Sequence, residues 1–108
     1  MNIQQLRNNR PWLVRQLADL LHLDYEDVVG RSRKRELCRS RHMIMLWMHE
    51  RLGLAAMDIG PAFSRDRTTV YHGLERMRNE REIYTDSRHA MNVFFHEADK
   101  RFNKLTQR

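Results

Sequence analysis

The run Met43-Ile44-Met45-Leu46-Trp47-Met48 leaves a helix no polar side to turn towards water. A helix built on it has to be central and surrounded on most sides. Ser40 is its expected N-cap, and Gly53 its stop, directly after Leu52. The methionines in such a run suit an irregular core better than an adaptable partner groove. No segment alternates apolar and polar residues long enough to predict a strand, and Pro11 and Pro61 are the only prolines. The expected fold class is therefore all-α: a compact bundle of about six helices in a single domain over residues 1–108.

The surrounding helices follow from spacing. Pro11 suits a first helical turn, where its missing N–H loses nothing. From there Leu13, Val14, Leu17, Leu20 and Leu21 recur at three- and four-residue steps. Asp24 is expected to cap a short second helix, with Asp27 three residues on, Val28 and Val29 inward, and Gly30 at its end. The stretch that follows forms a loop or a loosely held helical start. Ala56 to Phe63 gives a fourth helix with Ile59 and Phe63 pointing in, and Pro61 at its second turn implies a distortion. Asp66 caps a fifth helix, Arg67 to about Arg78, whose buried side is Val70, Leu74 and Met77. A final helix, about 86–105, carries Ala90, Met91, Phe94, Phe95, Ala98, Phe102 and Leu105.

Charge is placed unevenly. Residues 31–41 hold six Arg or Lys against one Glu, which supplies +5 of the formal net charge of +6. A basic cluster on a nearly neutral body points to a localised polyanion contact, the alternative being a solvated face. The single cysteine, Cys38, excludes an internal disulfide and suits a reducing, cytoplasmic setting. No apolar run approaches the roughly 18 residues of a membrane span, and no signal-peptide core follows Met1. Cys38, His42 and His49 fall short of the four ligands with paired spacings that zinc requires, so no metal or other cofactor is expected. No serine or cysteine has a companion base and orienting acid, which argues against an enzyme.

Two short helices joined by a tight turn, the second polar at its start and apolar behind, describe a helix-turn-helix. In that unit the start of the second helix touches base edges in the major groove. Asp66, Arg67, Thr68 and Thr69 fall there, on the outward side of Val70 and Leu74. Arginine can fork onto guanine, and threonine offers a hydroxyl and a methyl that suits thymine. A purely structural capping turn would carry similar residues.

Four stretches stand out together in order and spacing: Arg31-Ser32-Arg33-Lys34-Arg35, Arg39-Ser40-Arg41-His42, Asp58-Ile59-Gly60-Pro61-Ala62-Phe63-Ser64 and Arg65-Asp66-Arg67-Thr68-Thr69-Val70-Tyr71-His72. Through them, from about Val14 to Leu74, the chain resembles the C-terminal DNA-binding domain of the bacterial replication initiator DnaA, with a core over about 14–78. That family has a basic loop of Ser-Lys-Arg-Arg-Ser-Arg type, matched here by Arg31-Ser32-Arg33-Lys34-Arg35. Its Arg-Pro-Arg-Gln helix start corresponds to Arg39-Ser40-Arg41-His42. Its Glu-Ile-Gly-x-x-Phe-Gly stretch corresponds to Asp58-Ile59-Gly60-Pro61-Ala62-Phe63-Ser64. Its Arg-Asp-His-Thr-Thr-Val-Leu-His motif corresponds to Arg65-Asp66-Arg67-Thr68-Thr69-Val70-Tyr71-His72, with about one residue missing between Phe63 and Arg65.

The resemblance implies roles. Arg33 would enter the minor groove, with Arg31 and Arg35 nearby, since a narrow A·T groove favours an arginine. Arg41 would hold the DNA backbone or reach a base. Asp66, Thr68 and Thr69 would read the major groove or fix its phosphates, and His72 would touch phosphate. With Arg65 and Arg67, these form the candidate DNA-binding set. Arg67 stands where the family has histidine, Met57 where a proline packs against a base, and His42 where it has glutamine. The preferred DNA sequence is therefore expected to differ from the family's. No Gly-x-x-x-x-Gly-Lys-Ser/Thr loop occurs, so no nucleotide is expected, and a free-standing regulator of replication or transcription is implied. The expected partner is double-stranded DNA, with the chain a monomer or weak homodimer and no membrane involved. The alternative is a protein-interaction module built on Phe94, Phe95 and Phe102.

Overall fold

The computed structural model describes the backbone of residues 2–106 and the side chains of residues 2–102. Among the described residues there are seven α-helices and no strand. They are α1 (Ile3–Asn8), α2 (Arg10–Leu20), α3 (Tyr25–Val29), α4 (Arg35–Leu52), α5 (Ala56–Ile59), α6 (Arg67–Ile83) and α7 (Thr85–Thr106), with a 3₁₀ turn at Gly60–Phe63 after α5.

Helix α4 is the axis of the molecule. Met43, Ile44, Met45, Leu46, Trp47 and Met48 are all buried, as their unbroken apolar run requires. It packs against α6, α3, α5, α2 and α1. Trp47 also reaches α7, where its indole N–H donates to Asp99 at 2.9 Å and its ring lies 5.5 Å from Phe102. The Arg51 Nε–H is shared between both oxygens of the same carboxylate, at 3.0 and 3.2 Å, so one acid serves two donors of α4.

The start of α4 differs from expectation. It begins at Arg35, with Lys34 at the N-cap position and no side-chain cap, so Ser40 lies inside the helix. Gly53 does end it in the left-handed conformation. Asp24 occupies the N-cap position of α3 but makes no side-chain cap bond, so the expected box with Asp27 does not form. The distortion at Pro61 is present: α5 lasts four residues and then tightens into the 3₁₀ turn. Ile59 and Phe63 are both fully buried there. Truncating Phe63 to alanine would cost about 3–5 kcal/mol, the usual range for a buried aromatic.

Helix α6 runs to Ile83, five residues past the expected end. Arg81 in its last turn makes a two-pronged ion pair with Glu50 of α4, at 2.9 and 2.8 Å. That pairing lowers the Glu50 pKa below its ordinary value and raises that of Arg81. Arg88 of α7 then donates to the terminal carbonyls of Arg81 and Glu82, so the helix end is satisfied by its successor. Met91, Phe94, Phe95, Ala98 and Phe102 of α7 are buried, while Ala90 is exposed. Leu105 lies outside the described side chains. Sequence reasoning missed α1 altogether, although Asn2 and Gln5 form a reciprocal capping box. No helix among the described residues is long and apolar enough to cross a membrane.

Candidate nucleic-acid interface

The second helix of the turn starts as its residues dictate. Asp66 is the N-cap of α6, and its carboxylate accepts the Thr69 N–H at 2.7 Å. That hydrogen bond, first among the causes, holds the Asp66 carboxyl below its ordinary pKa. Arg67, Thr68, Thr69, Tyr71 and His72 are exposed, while Val70, Gly73, Leu74 and Met77 seat the helix on the core. Between the 3₁₀ turn and α6 the chain reverses through Ser64, at φ 54°, and Arg65. The reversal brings the Arg65 carbonyl onto Gly60, where a Cβ would lie 2.4 Å from that oxygen. Only glycine fits the corner.

The basic loop, residues 30–34, is held from beneath by two arginines. Arg41 is 3 % exposed. Its Nε donates to Val28 O at 2.5 Å, and its Nη2 faces the carbonyls of Asp27, Gly30 and Ser32 at 3.3–3.4 Å. Cys38 Sγ accepts from Nη1 at 3.6 Å. Arg65 reaches the same strand of chain from the other side, donating to Val29 O at 3.0 Å, Gly30 O at 2.6 Å and Phe63 O at 2.6 Å. The last carbonyls of a helix lack partners within it, and these guanidinium groups supply them for α3.

A groove of about 680 Å³ runs between the loop and α6, lined in part by Arg31, Ser32, Arg33, Ser64, Arg65 and Thr69. A second of about 610 Å³ continues from Thr69 past His72 and Arg76 along α6. A third, about 360 Å³ and largely apolar, is formed by Ala55, Ala56, Met57, Arg67, Thr68, Tyr71 and His72. Thr69 and His72 each line two of the three, so the loop and both flanks of the α6 start share one face.

His42 lies at the back of the first two grooves and against α6, where a Cβ on Gly73 would come within 2.6 Å of its ring. Burial, then the positive charges of Arg41, Arg76 and Arg65, lower its pKa to about 4. His42 is therefore neutral near pH 7.

The candidate residues separate into two groups. Arg31, Arg33, Arg35, Arg67, Thr68, Thr69 and His72 are exposed and available to a ligand. Arg41 is placed differently from the others: its guanidinium is buried on carbonyls, turned inward by its phase with Met45, Met48 and Leu52. Arg65 is half-buried with both Nη atoms on backbone carbonyls, and the Asp66 carboxylate accepts at the helix start. Arg65, with Arg41 beside it, has its pKa pushed down from the ordinary value, chiefly by burial. Tyr71, 53 % exposed, and Met57, 64 % exposed, stand on the same face. Tyr71 was not among the expected residues, although its place between Val70 and His72 puts it beside the exposed start of α6.

The polar helix start, the αL corner and the supporting α5 with its 3₁₀ turn define a helix-turn-helix of the DNA-binding class. Residues 12–77 match the model of the bacterial DnaA protein helix-turn-helix, and the chain belongs to that family. It is 27% identical over 93 residues to the chromosomal replication initiator protein DnaA 1 of Chlamydia pneumoniae, covering 86% of this chain and 20% of that protein. It is 39% identical over 59 residues to the DnaA initiator of Leptospira biflexa, covering 51% of this chain and 13% of that protein. With the DnaA initiator of Bifidobacterium animalis subsp. lactis it shares 31% identity over 77 residues, 67% of this chain and 13% of the relative. The chain thus spans a fifth or less of the length of these relatives.

Proposed function

We propose that this chain binds duplex DNA with sequence selectivity, placing the first turn of α6 in the major groove and the basic loop in the adjoining minor groove. One observation carries the reading: Arg31 and Arg33 of the loop and Thr69 of α6 line the same open groove. Arg33 is the minor-groove residue, with Arg31 and Arg35 beside it on phosphates. Arg67, Thr68 and Thr69 meet base edges, His72 meets phosphate, and Asp66 orders the turn that presents them. Met57 and Tyr71 add an apolar surface suited to thymine methyl groups. The relatives named above are replication initiators, which supports a task in replication or in its control. These 108 residues contain no phosphate-binding loop, so recognition proceeds without nucleotide hydrolysis by this segment.

The aromatic side chains of the alternative, Phe94, Phe95 and Phe102, are used internally at 3, 7 and 2 % exposure. They offer no free aromatic face for a partner.

The test is selection of bound duplexes from a random pool at near-physiological salt. An enriched motif is expected, with affinity falling as salt rises by a log–log slope of about 0.9 per neutralised phosphate. Arg33→Ala and Thr68→Ala should each lower discrimination by about 1–3 kcal/mol. Equal binding to every duplex of the same length, before and after both changes, would refute the reading.

A further inference from the structure

We infer that Arg65 and Arg41 are positioning residues that set the register between the two groove contacts, rather than DNA contacts themselves. The inference rests on the DNA-binding reading above and adds to it a mechanical link.

Arg65 stands immediately before Asp66, the residue that starts α6. Its fork closes on Val29 and Gly30, the residues immediately before Arg31. One side chain therefore spans from the start of the major-groove helix to the root of the minor-groove loop. A third bond, to Phe63 O, ties the same guanidinium to the 3₁₀ turn. Arg41 reaches the loop from α4, grasping Val28 and facing the carbonyls on either side of Arg31, those of Gly30 and Ser32. Gly30 completes the arrangement, because a Cβ there would lie 2.6 Å from Glu26 O, so the loop root is pressed onto α3.

Each of these bonds is to a backbone carbonyl. The clamp therefore fixes where the loop backbone runs, whatever side chains the loop carries. The planar guanidinium serves the three carbonyls from two nitrogens set apart in a fork, whereas a lysine ammonium at position 65 would carry its donors on one nitrogen and could not span them. With the fork in place, the root of the loop holds one position relative to the start of α6. A DNA site must then present its narrow minor-groove step and its major-groove bases at one separation. Loosening the fork should let that separation vary.

The experiment uses the duplex enriched from the random pool, together with versions carrying one inserted or deleted base pair between its two contacted elements. The unmodified protein should bind the shifted duplexes at least tenfold more weakly than the parent. Arg65→Lys should bind the parent several-fold more weakly and discriminate against the shifted duplexes by threefold or less. Thr68→Ala should weaken binding while leaving the shift penalty in place. Loss of stability alone would lower all affinities together and leave that ratio intact. Arg65→Lys retaining the full tenfold penalty would overturn the inference, as would an unmodified protein that tolerates the shifts. Should Arg65→Lys fail to fold, Arg41→Lys takes its place with the same expected relaxation. If neither folds, the inference also fails, because the pair would then hold the whole fold and not the register. Absence of any enriched duplex for the unmodified protein would instead refute the DNA-binding reading on which this rests.

Discussion

Acidification from pH 7.5 to 5 should weaken the free protein through His42 by about 1–2 kcal/mol. The ring is enclosed between α4 and α6 beside Arg41, Arg65 and Arg76, and its pKa drops from 6.5 to about 4. A histidine depressed in this way is neutral in the folded chain and free to charge in the unfolded one. Its contribution is present above pH 6.5 and is lost progressively as pH falls towards 4. Two proton-binding curves with those midpoints differ by about 2 kcal/mol at pH 5. The groove side of the ring meets water, which reduces the difference to the stated range. Asp66 and Glu50 add little in this window, because the stability from their lowered carboxyls begins to be lost only near the ordinary values of 3.8 and 4.5, below pH 5. The assay is urea denaturation of the protein and of His42→Gln at both pH values. His42→Gln should lose about 1–2 kcal/mol less than the parent between them. Parallel losses would refute the assignment of the acid sensitivity to His42.

Three further outcomes are open to measurement. Gly73→Ala adds a methyl 2.6 Å from the His42 ring and should cost about 1–2 kcal/mol in denaturation, despite the better helix propensity of alanine; combining it with His42→Ala should remove most of that loss. Asp99→Ala strips the acceptor from Trp47 and Arg51 and should cost about 1–2 kcal/mol, whereas Asp99→Asn, which retains an oxygen for the indole, should cost less; equal losses would contradict the shared-acceptor account. Asp66→Ala leaves the Thr69 N–H without its cap, so amide exchange over Arg67–Thr69 should accelerate while that of Leu74 and Met77 holds; unchanged exchange would show that the cap does not order the turn.

Periodicity and punctuation made most of the fold legible. Met43–Met48 fixed a central helix because no arrangement exposes a run without a polar side, and Pro61 marked the point where α5 tightens. The start of α4 was hidden because Arg35-Glu36-Leu37-Cys38-Arg39 carries one strong apolar residue, too little to show a period. What makes that turn helical is tertiary: Arg41 on the α3 carbonyls and Arg39 on Ser87, at 2.9 Å. Helix α1 has only six residues and one buried side chain, Leu6, so its sole sequence signal was the Asn2–Gln5 spacing. At the interface, the polar start of α6 was readable from residue type. Which arginine faces in was not, because charge alone does not distinguish Arg41 from Arg33. The helical phase of Arg41 with Met45 did contain that information.

A titration of ¹⁵N-labelled protein with the selected duplex at near-physiological salt tests the account most directly. Amide shifts are expected to concentrate in residues 30–35 and 66–72 and around Met57, with α1, α2 and α7 unaffected. Shifts centred on α7 or on the α1–α2 surface, with the loop and the start of α6 silent, would contradict it.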